Sequence, residues 1–210
     1  MEMRRLLVCA LLAMATAGCS GRPARVKPPH INAASAGAAA VAAYDTDGDG
    51  AIAGSELDRA PPLQSSLDSV DSNQDGKVTA EEISGRIEAW QATRVGVLVL
   101  FSRVTLDGKP LDGATVTLEP SPFLGDGVKL ATGVTGAAGM TSLTIDEQFR
   151  VAPEARGVQC GWYLVRISKQ QDGQEMLHAR YNSETTLGCE VAPDLEVVMK
   201  GLRFALTTGE

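Results

Sequence analysis

The sequence predicts a multidomain α+β chain, a small helical unit followed by an all-β sandwich. Three observations carry this. Two acidic, glycine-bearing stretches, DTDGDGAIAGSE from Asp45 and DSNQDGKVTAEE from Asp71, repeat one spacing and are flanked by apolar residues at helical intervals. From Val95 onward the apolar residues change to alternate positions between glycine turns. The first twenty residues follow neither pattern, so they lie outside both units.

That opening stretch, MEMRRLLVCALLAMATAGCS, has a short basic start, an apolar run from Leu6 to Ala15, and small residues after it. The run is shorter than the ~20 residues a membrane span needs. It reads as an export signal over residues 1–18. ATAGC resembles a bacterial lipoprotein box with cleavage before Cys19 and lipid on its sulfur, although Thr16 stands where leucine is usual. Ala15-Thr16-Ala17 also forms an A-x-A site for ordinary signal peptidase. Past the apolar run the cysteines are Cys19, Cys160 and Cys189, an odd number. Lipidation of Cys19 accounts for the odd one. The remaining two are expected to form a disulfide in an oxidising compartment, contributing roughly 3 to 4 kcal/mol in the chain-entropy model. Residues 19–38 are rich in Pro, Ser, Gly and Ala, hold no carboxylate, and read as a flexible tether.

Residues 39–92 hold eleven acidic and three basic side chains, most of the charge imbalance in a chain of net charge −7. Such crowding repels itself unless a cation offsets it. Both stretches fit D-x-[DN]-x-[DN]-G-x5-E. In the first, Asp45, Asp47 and Asp49 take positions 1, 3 and 5, Gly50 makes the turn, Ala51 offers its carbonyl, and Glu56 closes position 12. In the second, the same places fall to Asp71, Asn73, Asp75, Gly76, Lys77 and Glu82. A hard cation such as Ca2+ wants six to eight oxygens, and alternate residues of a tight loop aim oxygens at one centre. Other Asp-Gly pairs, such as Asp107-Gly108 and Asp172-Gly173, have neither the ladder nor the distal glutamate. The segment resembles a paired EF-hand. That resemblance implies helices before and after each loop, and Ile52 facing Val78 in a short strand pair. The closeness of the loops and Pro61-Pro62 leave about one helical turn after the first loop, which favours a structural site over a switch.

The second half, residues 95–210, reads as short strands: VGVLVLFSRV, Ala114 to Leu118, two strands around the Gly136–Gly139 turn, GWYLVRISKQ, and LEVVMKGLRFAL as a strand pair or one bent strand. The stretches DGKPLDGATVTL, ATGVTGAAGMTSLTI and GWYLVRIS resemble the carboxypeptidase regulatory-like, or transthyretin-like, domain of exported proteins. That resemblance implies an Ig-like sandwich and no catalysis. ARYNSETTLGCEV resembles a segment of small lipoproteins of planctomycete type.

Catalytic motifs are missing. The two histidines, His30 and His178, belong to no HExxH, and there is no GxSxG. One transthyretin-like hydrolase family ends in Tyr-Arg-Gly-Ser, whereas this chain ends ALTTGE. An acidic chain also lacks a nucleic-acid surface. The expectation is therefore a non-catalytic, calcium-binding lipoprotein of the outer membrane or periplasm. It would be held to the membrane by its N-terminal lipid, with an unidentified protein or glycan partner. A calcium-responsive binding module is the alternative.

Overall fold

A computed structural model describes residues 26–209. The predicted signal, Cys19 and the start of the tether lie outside the described residues. The rest of the predicted tether is not loose. Pro29 and Ile31 are buried, and the first helix, α1 (Ala33–Tyr44), begins inside it. Alanine is the best helix former, and the Asn32 side chain caps the start by accepting from the Ser35 N–H at 3.0 Å. Small residues suit a linker, but here they permit close packing. A Cβ on Gly37 would lie 2.2 Å from the Ala80 carbonyl oxygen. That carbonyl opens α5 (Ala80–Thr93), and Gln91 of α5 donates its side-chain amide to the Ile31 carbonyl at 2.7 Å.

Between these helices the chain forms β1 (Ala51–Ala53), α2 (Ser55–Asp58), α3 (Pro61–Gln64), α4 (Leu67–Val70) and β2 (Lys77–Thr79). The expected one-turn helix after the first loop is α2. Before the second loop, the apolar spacing of Leu63, Leu67 and Val70 suggested one helix. The structure has two single turns, because the Ser65 and Ser66 hydroxyls bond back to the Pro62 carbonyl.

The β half comprises β3 (Leu100–Leu106), β4 (Lys109–Pro110), β5 (Thr115–Pro120), β6 (Ala131–Val134), β7 (Met140–Ile145), β8 (Gly161–Ser168), the small hairpin β9 (Gln170–Gln171) and β10 (Gln174–Glu175), and β11 (Gly188–Val191). It ends with α6 (Glu196–Lys200) and β12 (Leu202–Leu206). The main sheet runs β11-β8-β5-β6-β7-β3-β12, with β4 paired to β3. β7 changes partner partway along: Met140 to Leu143 pair with β3, and Thr144 and Ile145 pair with β6. This switch curls the sheet into a half-barrel, consistent with a sandwich. Every pairing in the main sheet is antiparallel except β12 with β3.

The tail LEVVMKGLRFAL departs from expectation. Its first half is a helical turn, stopped by Gly201 at φ 73°, and only its second half is a strand. β-Branched Val197 and Val198 favour a strand, but this part of the chain lies outside the ladder, so local propensity did not decide it.

The sheet uses both faces. Tyr163, Val165 and Ile167 of β8 point into the curl with Val116 and Leu118 of β5. On the other face, Trp162 packs at a tilt against Trp90 of α5, with ring centroids 4.3 Å apart, and also meets Phe123. Phe123 touches Tyr44 at the end of α1 edge-on. The helical unit and the sheet thus share one continuous apolar core. Gly188 allows this closeness, since a Cβ there would lie 2.3 Å from the Pro61 carbonyl oxygen.

Alternation also decides the cysteines. Cys189 stands opposite Tyr163, whereas Cys160 lies three residues before it, roughly 10 Å along the strand. An odd offset puts their side chains on opposite faces. Both are buried and unbridged, which corrects the predicted disulfide.

Candidate metal centre

The two loops close through matching hydrogen bonds. In the first, Gly50 (φ 88°) donates its N–H to Asp45, Asp49 to Asp47, and Ala51 to Asp49, all at 2.9–3.1 Å. In the second, Gly76 (φ 79°) donates to Asp71, Asp75 to Asn73, and Lys77 to Asp75, all at 2.8–2.9 Å. The positive φ at the sixth position explains its glycine in both loops. These bonds turn the alternate side chains inward.

The distal glutamates sew each loop shut. Oε1 of Glu56 accepts from the Thr46 N–H and hydroxyl, and Oε2 accepts from the Ala53 N–H at 3.0 Å. Glu82 does the same with Ser72 and Thr79, and with Thr79 it forms a capping box that starts α5. The Thr46 N–H bond, followed by that from Ala53, holds the Glu56 carboxyl down at about 2. It is therefore ionised across all ordinary pH.

β1 and β2 join the loops back to back. Ile52 pairs with Val78, as expected, and both are completely buried. The seventh residues, Ala51 and Lys77, begin these strands, so their carbonyls sit at the loop rims.

The first loop brings Asp45, Asp47 and Asp49 together, with carboxylate oxygens within 4.8 Å of one another. Asp71, Asn73 and Asp75 occupy the equivalent places in the second loop. The donors are all oxygens, charged and partly preset by backbone hydrogen bonds, which suits a hard divalent cation. One contact was not foreseen. The Lys77 ammonium reaches across to Asp49 at 2.8 Å and, through that bond, lowers the Asp49 pKa. The motif assigns Lys77 only its carbonyl oxygen, because nothing local tells which way a surface lysine turns.

A family model described as EF hand matches residues 63–85. The second loop and its flanking helices resemble an EF-hand. The match spans the end of α3, all of α4, the whole loop and the start of α5, so hand 2 stands on sequence likeness as well as geometry. Hand 1 stands on its matching hydrogen bonds and its pairing with hand 2. No curated protein and no solved structure matches the chain.

The site is also tied to the sheet. Glu190 of β11 is buried, yet it accepts from Nε of Arg86 at 2.6 Å, from Nε1 of Trp90 at 2.8 Å, and from the Ser69 hydroxyl. Ser69 lies two residues before loop 2, and Arg86 four residues after it. Arg86 also grips Asp194 through both terminal nitrogens, at 2.7 and 3.0 Å. Burial pushes the Glu190 pKa up against these bonds, whereas the Arg86 hydrogen bond draws Asp194 down. Sequence reading missed Glu190, since one glutamate in a strand carries no motif.

Proposed function

We propose that this is a calcium-binding cell-envelope lipoprotein without catalytic activity, in which Ca2+ stabilises the paired hands against the sheet. The matching hydrogen-bond sets of the two loops, joined through Ile52 and Val78, support the calcium reading most directly. Asp45, Asp47, Asp49, Glu56 and the Ala51 carbonyl would hold one ion. Asp71, Asn73, Asp75, Glu82 and the Lys77 carbonyl would hold the other. Calcium would offset the repulsion among these carboxylates. At a concentration tenfold above Kd, each site adds about 1.4 kcal/mol to stability.

A stabilising role is favoured over a switch. A calcium sensor opens the angle between its helices to expose a groove. Here α2 has four residues, and Glu190 bonds to both helices around loop 2. Opening hand 2 would break a buried ionic network.

The anchor follows from the sequence: lipid on Cys19, at the end of a segment too short to span. Among the described residues no helix is long and apolar enough to cross a membrane. The β half is then available to meet a protein, a glycan or the membrane itself.

Isothermal titration of the calcium-free protein should give two Ca2+ sites, with Glu56→Gln and Glu82→Gln each losing one. Absence of both heat and thermal stabilisation at millimolar Ca2+ overturns the metal reading. Metabolic labelling with palmitate tests the anchor: incorporation should vanish in Cys19→Ala, and an unlabelled wild type removes it.

A further inference from the structure

The outward face of β7, β3 and β12 differs from the rest of this acidic protein. None of these strands, nor neighbouring β6, contains an aspartate or glutamate. Arg103 and Arg203 stand directly opposite each other on parallel strands, and neither has an ion-pair or hydrogen-bond partner among the described residues. Like charges placed side by side repel, so this pair costs stability unless an anion faces it. Beside Arg103, in register across the strands, is Met140, 51% exposed. Phe101, on the same face, is 50% exposed, and Val99 is exposed just before β3. Large apolar side chains left in water together mark an interaction surface.

We propose that this face docks on an anionic phospholipid bilayer, with Phe101 and Met140 entering the headgroup boundary and Arg103 and Arg203 meeting lipid phosphates. Two arguments select that occupant. The first is charge: the guanidinium pair stands on strands without carboxylates, and Glu196 of α6, in the groove beside Arg203, is held by Lys200, so the face suits an anionic leaflet, whose attraction for basic residues offsets the repulsion of the remaining chain. The second is where the chain leaves the described residues. A Cβ on Gly96 would lie 2.4 Å from the Val26 carbonyl oxygen, so Val26 passes beside Gly96. Gly96 precedes Phe101 by five residues, at most about 17 Å of chain. Cys19 precedes Val26 by seven residues, a reach of up to about 25 Å. A lipid on Cys19 can therefore lie in the bilayer while Phe101 touches it. A single weak surface and an anchor reinforce each other, because tethering raises the local concentration of the face at the membrane.

The orientation argument rests on the lipid-anchor reading, and the test separates the two. The full chain, purified from the membranes of a bacterial host, is mixed with vesicles of phosphatidylcholine alone or with one-third phosphatidylglycerol. Flotation reads attachment. Peroxide oxidation of Met140, followed by mass spectrometry, reads the face. Attachment to both vesicle types is expected, with Met140 oxidised at least about threefold more slowly on the anionic ones. Arg103→Glu/Arg203→Glu should remain attached and lose that protection. Equal Met140 rates on the two vesicles, or protection that survives the double substitution, overturn the docking face and leave the anchor standing. Flotation with protection on anionic vesicles alone supports the face and removes the anchor. No flotation with either removes both. Protection in detergent that disappears on dilution assigns the face to a second copy of the chain and overturns the lipid assignment.

Discussion

Trp90 of α5 donates its indole N–H to Oε1 of Glu190 on β11 at 2.8 Å. The same oxygen lies 2.6 Å from Arg86. A helix that begins in the second acidic loop is thereby fixed to the edge strand of the sheet. The sheet's strength should therefore depend on the hands, and the reverse.

Arg86→Met should show this. It leaves the Glu190 carboxylate buried without its counter-charge, held only by Trp90 and Ser69, at a cost of about 3 to 5 kcal/mol at pH 7. Burial already raises the Glu190 pKa, and loss of Arg86 raises it further. A raised folded pKa means the penalty exists only where Glu190 is charged. The difference between variant and wild type should shrink as pH falls from 7 towards 4.5. Denaturant unfolding at both pH values measures it, and a pH-independent difference contradicts the assignment.

The Lys77 ammonium competes with a cation for Asp49. Lys77→Met should tighten binding in the first loop only modestly, by about two- to fivefold, because an exposed ion pair is weak. The gain should fade in high salt, because screening weakens exposed pairs first. Calorimetry at two ionic strengths reads both effects.

Glu56 provides an acid signature. Its pKa is about 2 in the folded, calcium-free protein, against an ordinary 4.5. Because the folded value is depressed, its stabilisation is complete above pH ~4.5 and disappears as pH falls towards 2. Carboxylate NMR of the calcium-free protein should place the Glu56 midpoint near 2 and, in Thr46→Ala, above it.

Burial pushes the Cys160 and Cys189 thiols up to about 12. At pH 8 roughly one molecule in ten thousand would carry a thiolate at either place. Maleimide should leave both unlabelled in the folded protein and label both after unfolding without reductant. A pair that needs reductant would restore the disulfide.

Much of the candidate site was legible in the sequence because its geometry is local. Aspartates at alternate positions, a glycine at the sixth and a glutamate at the twelfth are enough to aim oxygens at one point, wherever the loop is attached. The Ile52–Val78 pairing and the one-turn α2 follow from the same spacing. The strand pattern of the second half was legible too, since alternation reports which side chains are buried.

What spacing cannot report is which elements meet. Ala33 to Ala38 carry a composition that serves a linker or a close helix crossing equally well, and only the approach of α5 decides it. Val197 and Val198 prefer a strand, but their place outside the ladder left them helical. Two cysteines in an exported-looking chain suggest a bridge, yet the register of β11 on β8 puts them on opposite faces. Glu190, Lys77 and the Arg103–Arg203 pair matter through partners or neighbours that are distant in the chain, at times by more than a hundred residues. By itself the sequence determined the two loops and the alternation of the strands, because both are short-range consequences of backbone geometry. The tertiary structure alone decided the shared core, the clamp on hand 2 and the facing Arg103–Arg203 pair, because long-range packing and strand register set them.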